Sequence, residues 1–230
     1  MTTSGVTTLT MTAREVIEFA LGELNAVPIG QESDITELAP ILRKLNVMVK
    51  GWEVKGPHLW RTGDGSTQLV AGQGDYSLTL DNPLRIKEVR YRYPDGHDLP
   101  MVKMSRTQYE TLPNKNSAGV PTQWYFNPQS TYQVLFIWPV PRVVTTDTLR
   151  YSYQQRFQIC QTLDDDVDIP TEWLDTVGMN LAARLLDAYG SEGESAARIE
   201  KEAALLLRAA KAFDRPDFVC FMPSGRPRGN

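Results

Sequence analysis

Hydrophobic periodicity changes twice along this chain, and the two changes bound what it can fold into. From Thr12 the apolar residues recur at helical spacing, with Val16, Ile17, Ala20, Leu21 and Leu24 on one face. Thr12, Ala13, Arg14 and Glu15 read as a capping box, in which hydroxyl and carboxylate each satisfy an orphan backbone N–H, so a helix starts there. Pro28 and Gly30 are expected to close it. Ser33 or Asp34 offers the next N-cap, and Leu38, Ile41, Leu42, Leu45, Met48, Val49 and Trp52 continue the helical spacing. Pro40 lacks the N–H that a helix interior uses, which predicts a later start or a kink.

From Gly56 to about Gln155 the texture is that of strands joined by turns: Gly, Pro, Asn and Asp recur between short runs rich in Val, Ile, Tyr, Phe and Thr. The expected strands are 66–71, 75–80, 84–93, 98–103, 122–127, 132–138 and 148–157. Tyr93, Pro94, Asp95 and Gly96 form a hairpin turn, and Pro139 and Pro141, which cannot donate to a ladder, stop the strand ending at Trp138.

The last third returns to helix. Pro170 suits a first helical position, Leu174, Val177, Leu181 and Leu185 make an apolar face, and Gly190 is a left-handed stop. Ala196, Ile199, Ala203, Leu206, Ala210 and Phe213 then alternate spacings of three and four, a bundle seam, with Glu194 and Arg198 placed to pair. Asp214 to Asn230 holds Pro216, Pro223 and Pro227 and reads as an extended tail.

The expected fold is α+β: a four-helix bundle from residues 1–56 and 156–213, an antiparallel β module inserted at 57–155, and an extended C-terminal tail at 214–230. A chain of 230 residues with 41% apolar and 23% charged residues has the composition of a globular protein, which excludes disorder, collagen and a coiled-coil rod for its bulk. The net charge of -4 gives no general attraction to nucleic acid or an anionic membrane. The longest apolar run, Val134 to Trp138, is far too short to span a bilayer, and the first ten residues lack the charge and apolar core of a secretory signal.

Few residues carry chemistry. His58 and His97 belong to no metal or triad spacing and read as surface residues, and Cys160 and Cys220 read as buried small hydrophobes. Gly51 to Gly56 has the glycine spacing of a phosphate loop but continues Pro57, His58, without the lysine that would meet the phosphates. Asp164, Asp166 and Asp168 alternate like calcium ligands, yet Ile169 and Pro170 stand where the loop needs a glycine turn, so a solvated acidic linker is expected. No catalytic, cofactor-binding or metal-ligating residue is therefore assigned. Trp124, Tyr125, Phe126, Tyr132, Phe136 and Trp138 could form a stacking platform for a sugar or a single strand, or could alternate into the sheet interior. The alternative function they support is carbohydrate binding or hydrolysis by the β module, with the carboxylates of 164–168 as acid and base. A DNA-binding regulator is weaker still, because no basic recognition helix is visible. In the tail, Phe218, Val219, Phe221 and Met222 cannot be buried within a helix of their own and stand with Arg226 and Arg228, which marks a docking segment.

The chain resembles the head-to-tail connector, or adaptor, proteins of tailed bacteriophages, especially short-tailed ones, also called tail accessory or packaged-DNA-stabilisation proteins. The residues that carry the resemblance span most of the chain. They are Leu45-Asn46-Val47-Met48 with Trp52 and Gly56; Leu69-Val70-Ala71-Gly72 leading to Tyr76; Tyr109 with Lys115 and Gly119-Val120-Pro121-Thr122; Trp138-Pro139-Val140-Pro141; Asp168-Ile169-Pro170; and Asn180-Leu181-Ala182-Ala183 through Tyr189-Gly190. Pro40 and the tail depart from the pattern. The resemblance implies a non-enzymatic virion protein at the neck, made in the host cytoplasm. It implies a ring, commonly dodecameric, between the portal protein and the tail nozzle or other tail proteins. Packaged double-stranded DNA would pass its lumen without sequence-specific binding and be retained until ejection, with no membrane and no cofactor involved. The helices would form the ring body and the C-terminal extension would reach the portal.

Overall fold

Helix α1 (Ala13–Glu23) starts where the capping box places it, with the Glu15 N–H donating to Thr12 Oγ1 at 3.3 Å and the Thr12 N–H to Glu15 Oε2 at 2.8 Å. In this computed structural model the described residues are 5, 7–26, 35–55, 61–78, 83–129, 133–142, 146–189 and 193–214. The helix ends well before Pro28 and Gly30, which lie outside the described residues. Asn25 takes a φ of 53°, and the N–H groups of Asn25 and Ala26 return to the carbonyls of Gly22 and Leu21 at 2.9 and 3.0 Å. That pairing satisfies two orphan carbonyls around one left-handed residue and stops the helix without proline.

Helix α2 (Ile35–Lys55) includes Pro40, which corrects the expected later start. Pro40 is exposed, so the hydrogen bond it forgoes lies on the solvent side. Ser33 and Asp34 lie outside the described residues. A 3-10 turn (Thr171–Trp173) with Pro170 as its N-cap precedes α4 (Leu174–Tyr189), so Pro170 stands one step outside the helix rather than at its first position. Helix α5 is Glu194–Phe213. Residues from α1, α2, α4 and α5 meet in one core with Phe157, Cys160 and Leu163, and Trp52 and Trp173 pack at 5.8 Å between ring centroids. Close approach of α1 to α4 depends on Gly178, where a Cβ would stand 2.2 Å from the Phe19 ring. The α5 seam holds from Ala196 to Ala210, but Phe213 is 76% exposed and falls outside it. Arg198 pairs with Glu202 at 3.3 Å and Glu23 at 3.8 Å instead of with Glu194.

The β region is two four-stranded sheets over a second core. One has the order β1-β10-β3-β4, from β1 (Thr62–Gln68), β10 (Thr148–Gln154), β3 (Arg85–Arg92) and β4 (Asp98–Pro100). The other has the order β2-β8-β7-β5, from β2 (Asp75–Ser77), β8 (Gln133–Trp138), β7 (Gln123–Pro128) and β5 (Val102–Lys103). The named ladders are antiparallel except β5 with β7 and the small pair β6 (Ala118–Gly119) with β9 (Val140–Pro141), which are parallel and correct the expectation of a purely antiparallel module. Ile86 and Val89 are three apart yet both buried. The register slips at Lys87, so one extra residue in β3 resets its alternation.

Strand β1 covers Gly63 and Gly65, where the sequence reads as turn, and stops before the expected 69–71. The reason is close approach: a Cβ on Gly65 would stand 2.4 Å from the Tyr151 ring, and one on Gly63 2.9 Å from that of Tyr153. The hairpin at Tyr93–Gly96 forms as expected, with the Tyr93 N–H donating to His97 O at 2.9 Å and the Gly96 N–H to Tyr93 O at 3.0 Å. Helix α3 (Arg106–Glu110), with a capping box from Ser105 and Gln108, was not anticipated from the sequence.

Candidate functional site

Two of the buried charged side chains, Glu53 and Arg61, lie where the chain passes between helices and sheets. On α2, Asn46, Lys50 and Glu53 follow one another at helical spacing and form a polar stripe beside Leu45, Val49 and Trp52. That stripe grips the segment after β10. Asn46 donates to Cys160 O at 2.8 Å and accepts from the Cys160 N–H at 3.1 Å. Glu53, only 5% exposed, accepts from Lys50 Nζ at 2.7 Å and the Phe157 N–H at 2.5 Å, and Lys50 also donates to Phe157 O at 2.6 Å.

The other crossing is held by Arg61, which is 7% exposed just before β1. Its guanidinium donates to Asp168 Oδ1 at 2.9 Å and to the Arg156 carbonyl, and lies 5.2 Å from the centroid of Phe157. Asp168 Oδ2 accepts the Gln158 N–H at 2.8 Å, and Arg61 O accepts the Gln155 N–H at 2.8 Å. Buried ion pairs of this kind add little net stability, but any other arrangement would strand a desolvated charge. The joint is thus specified in geometry more than it is strengthened.

The acidic segment of 164–168 is a solvated linker only in part, because Asp165 and Asp168 are built into the fold. Asp165 accepts from the N–H groups of Thr162 and Gln161 at 2.9 and 2.6 Å and from the Thr162 hydroxyl at 2.7 Å. Those bonds, the Thr162 N–H foremost, hold its carboxyl below the usual range. The backbone around it receives the first turn of α1: the Ala13 and Arg14 N–H groups donate to Asp165 O and Leu163 O, each at 2.9 Å. Asp164 and Asp166 are exposed, and Asp168 belongs to the Arg61 clamp. Cys160 is buried as expected, and burial pushes its thiol up to about 11, with Asp165 adding to the shift. His97 is exposed at its turn; His58 and Cys220 lie outside the described residues.

The aromatic residues of β7 and β8 do not make an open platform. Trp124 and Phe126 point into the core, where Trp124 Nε1 donates to Met101 O at 3.2 Å. On the opposite face, Tyr109 of α3 lies over Tyr125 and Phe136 with centroids 5.5 and 4.9 Å away, and Lys115 Nζ sits 5.1 Å from the Tyr109 ring. Trp138 Nε1 donates to Asn114 O at 3.0 Å. The rings offered for a sugar are therefore packed by the chain itself, and Tyr132 lies outside the described residues. The acidic and aromatic parts of a glycosidase are likewise not brought together: Asp168 is spent on Arg61 in the clamp. The docking residues Phe218, Val219, Phe221, Met222, Arg226 and Arg228 all lie outside the described residues.

The sequence reading missed Asn46, Lys50, Glu53 and Arg61. A signal existed for two of them, since Lys50 and Glu53 interrupt an apolar stretch at the end of α2. Among the described residues, no helix is long and apolar enough to cross a membrane, and no group of three His, Cys, Asp or Glu could hold a metal ion.

The features together define a mixed α+β protein with two cores and a polar joint between them. No family model and no curated protein sequence matches the chain. Among solved structures it is similar to a chain in the neck of an empty gene transfer agent (GTA) particle computed with C6 symmetry. That match has a TM-score of 0.31 and 14% identity, and covers 79% of this chain and 83% of that one. A chain in the virion of the native GTA particle gives a TM-score of 0.33 and 12% identity over 85% of this chain and 93% of that one. One in the native neck computed with C12 symmetry gives 0.29 and 14% over 85% and 94%. TM-scores this low do not establish a shared fold.

Proposed function

We propose that this protein is a non-enzymatic structural component of the head-to-tail junction of a tailed phage or phage-like particle. In that role it is an adaptor ring, twelve-membered by the sequence resemblance, between the portal and the tail. Residues 1–56 and 156–213 act as a helical bundle and ring body. Residues 57–155 act as a β module toward the tail or the outside, and 214–230 as the arm that docks to the portal through Phe218, Val219, Phe221 and Met222.

The observation that carries this reading is the joint. Both chain crossings carry polar contacts to a buried side chain, Glu53 with the Phe157 N–H and Arg61 with Asp168, and these tie the helical part to the β module. A bracket that transmits position between two partners needs its parts tied in this way. The ordered blocks of sequence that resemble the adaptor family, from Leu45 to Gly190, lend independent support. Overall charge of -4 suits a lumen that lets DNA slide, since strong phosphate neutralisation would hold it.

Electron microscopy of the purified protein mixed with its portal tests the proposal. A ring seated on one pole of the portal is the expected image. Loss of that ring on deletion of residues 216–230, with the circular dichroism spectrum unchanged, is expected for the docking arm. A protein that never joins the portal, or that turns over a glycan, contradicts the reading.

A further inference from the structure

Two exposed patches on the helical part are complementary to each other. The first is an open groove of about 390 Å³ lined by Arg43, Lys44 and Val47 of α2 and Arg184 of α4. Val47 is 66% exposed at its centre, and none of the three cations meets a carboxylate among the described residues. The second patch surrounds Leu9, which is 59% exposed yet held in place: its N–H donates to Thr171 Oγ1 at 3.2 Å and its carbonyl accepts from that hydroxyl at 3.1 Å. Thr171 is followed at once by Glu172 and one turn on by Asp175, both exposed and without an ion pair among the described residues.

Acids at a helix N-terminus are ordinarily explained by the helix dipole. The dipole does not explain an ordered, exposed leucine next to them, nor an exposed valine ringed by cations elsewhere. Each patch has an apolar centre and a rim of one sign, and the signs are opposite. Asp175 and Arg184 are nine residues apart on α4, which is half a turn out of phase and about 13 Å along the axis, so the patches face in different directions.

We propose that the occupant of the Val47 groove is the Leu9 patch of a second copy of this chain. Pairing like patch with like patch would set cation against cation or acid against acid, so a two-fold dimer through either is disfavoured. The contact has to be heterologous, and repeated it closes into a ring or runs on as a filament. It supplies a subunit contact for the adaptor reading and rests on that reading for its biological setting, though self-association can be measured without it.

The test uses full-length protein and two charge-reversed variants, Arg43→Glu with Lys44→Glu and Arg184→Glu, and Glu172→Lys with Asp175→Lys. Sedimentation velocity over a concentration series is expected to show salt-sensitive association of the wild type. Each variant alone should associate at least roughly a hundredfold more weakly, because like-charge juxtaposition costs several kcal/mol. An equal mixture of the two variants restores complementary pairs on both sides and is expected to recover association. A wild type that stays monomeric throughout, variants that associate as the wild type does, or a mixture that gains nothing would each overturn the proposal. Should a variant misfold, Leu9→Cys and Val47→Cys in a Cys220→Ser background replace it: oxidation is expected to give a ladder of linked copies, and its absence overturns the contact. Portal binding separates the two ideas. Rings of the charge-reversed variants on the portal would sink this contact and leave the adaptor reading standing, whereas failure of every form to bind portal would sink the adaptor reading alone.

Discussion

The helical part and the β module solve the same burial problem with different materials. Among the described buried residues, aromatics supply three of 25 in the helical core, Trp52, Phe157 and Trp173, but six of 14 in the β core. Aliphatic side chains packed between helices leave few polar atoms to satisfy, so most of the helical core closes on shape. Buried Tyr and Trp each need a partner, and the β core provides them: the Tyr76 hydroxyl accepts the Val70 N–H at 3.1 Å and donates to Gln73 O at 3.2 Å, while the Tyr91 hydroxyl donates to buried Asp147. Burial, followed by that carboxylate, pushes the Tyr91 phenol well above its ordinary range. Charge divides the same way. Residues 1–56 and 156–213 hold 18 acids against 11 Lys and Arg, a net of -7, whereas 57–155 hold 8 against 10, a net of +2. The two regions thus differ in core and in charge, and the joint ties one to the other.

The sharpest way to break the comparison is to empty one core at a time. Trp173→Ala and Trp124→Ala each remove a fully buried indole and should cost about 3–5 kcal/mol. With the joint intact, both variants are expected to show one urea transition by far-UV and near-UV circular dichroism. Asp168→Ala removes the carboxylate partner of the buried Arg61 charge; since Asp168 is itself 26% exposed, the cost should be about 2 kcal/mol, below the ~3–5 kcal/mol of a fully buried pair. In that variant the two probes should separate, and coincident transitions would show that the joint does not couple the cores. Gly65→Val forces the buried Tyr151 ring aside and should cost about 1–3 kcal/mol, read in the β core first.

Asp165 gives a smaller and pH-dependent effect confined to the helical part. Its folded carboxyl is held low, so its contribution is present above the unfolded value of about 3.9 and is lost as pH falls through the folded one. Asp165→Asn should flatten the stability profile of the helical part between about pH 5 and pH 2. Cys160 offers a reporter on the same core: with its thiol pushed up to about 11 and buried, it should resist a thiol reagent at pH 8 in a Cys220→Ser background until the helical core opens.

How much of this was legible in the sequence depended on the range of the forces involved. The start of α1 was readable because Thr12 and Glu15 satisfy each other within one turn. Its end was misplaced because a single left-handed Asn25 outranked the more conspicuous Pro28 and Gly30. Helix α3 escaped notice although Ser105 and Gln108 repeat the capping pattern used for α1, since only five residues follow it and none of them is fully buried. Strand β1 was displaced because Gly63 and Gly65 look like turn residues until Tyr151 and Tyr153, more than 80 positions away, are seen to lie over them. The joint was the least legible part. Arg61 and Asp168 are 107 positions apart, and no local pattern marks residues whose partners are chosen by the path of the chain.

The most direct test of the proposed role as a bracket at the neck of a particle is to locate the chain there. Cryo-electron microscopy of intact particles should show density for both the helical body and the β module in a ring between portal and tail, with the two modules at the angle the joint sets. Particles whose neck lacks this polypeptide, or a ring in which the two modules take variable angles, would contradict the account.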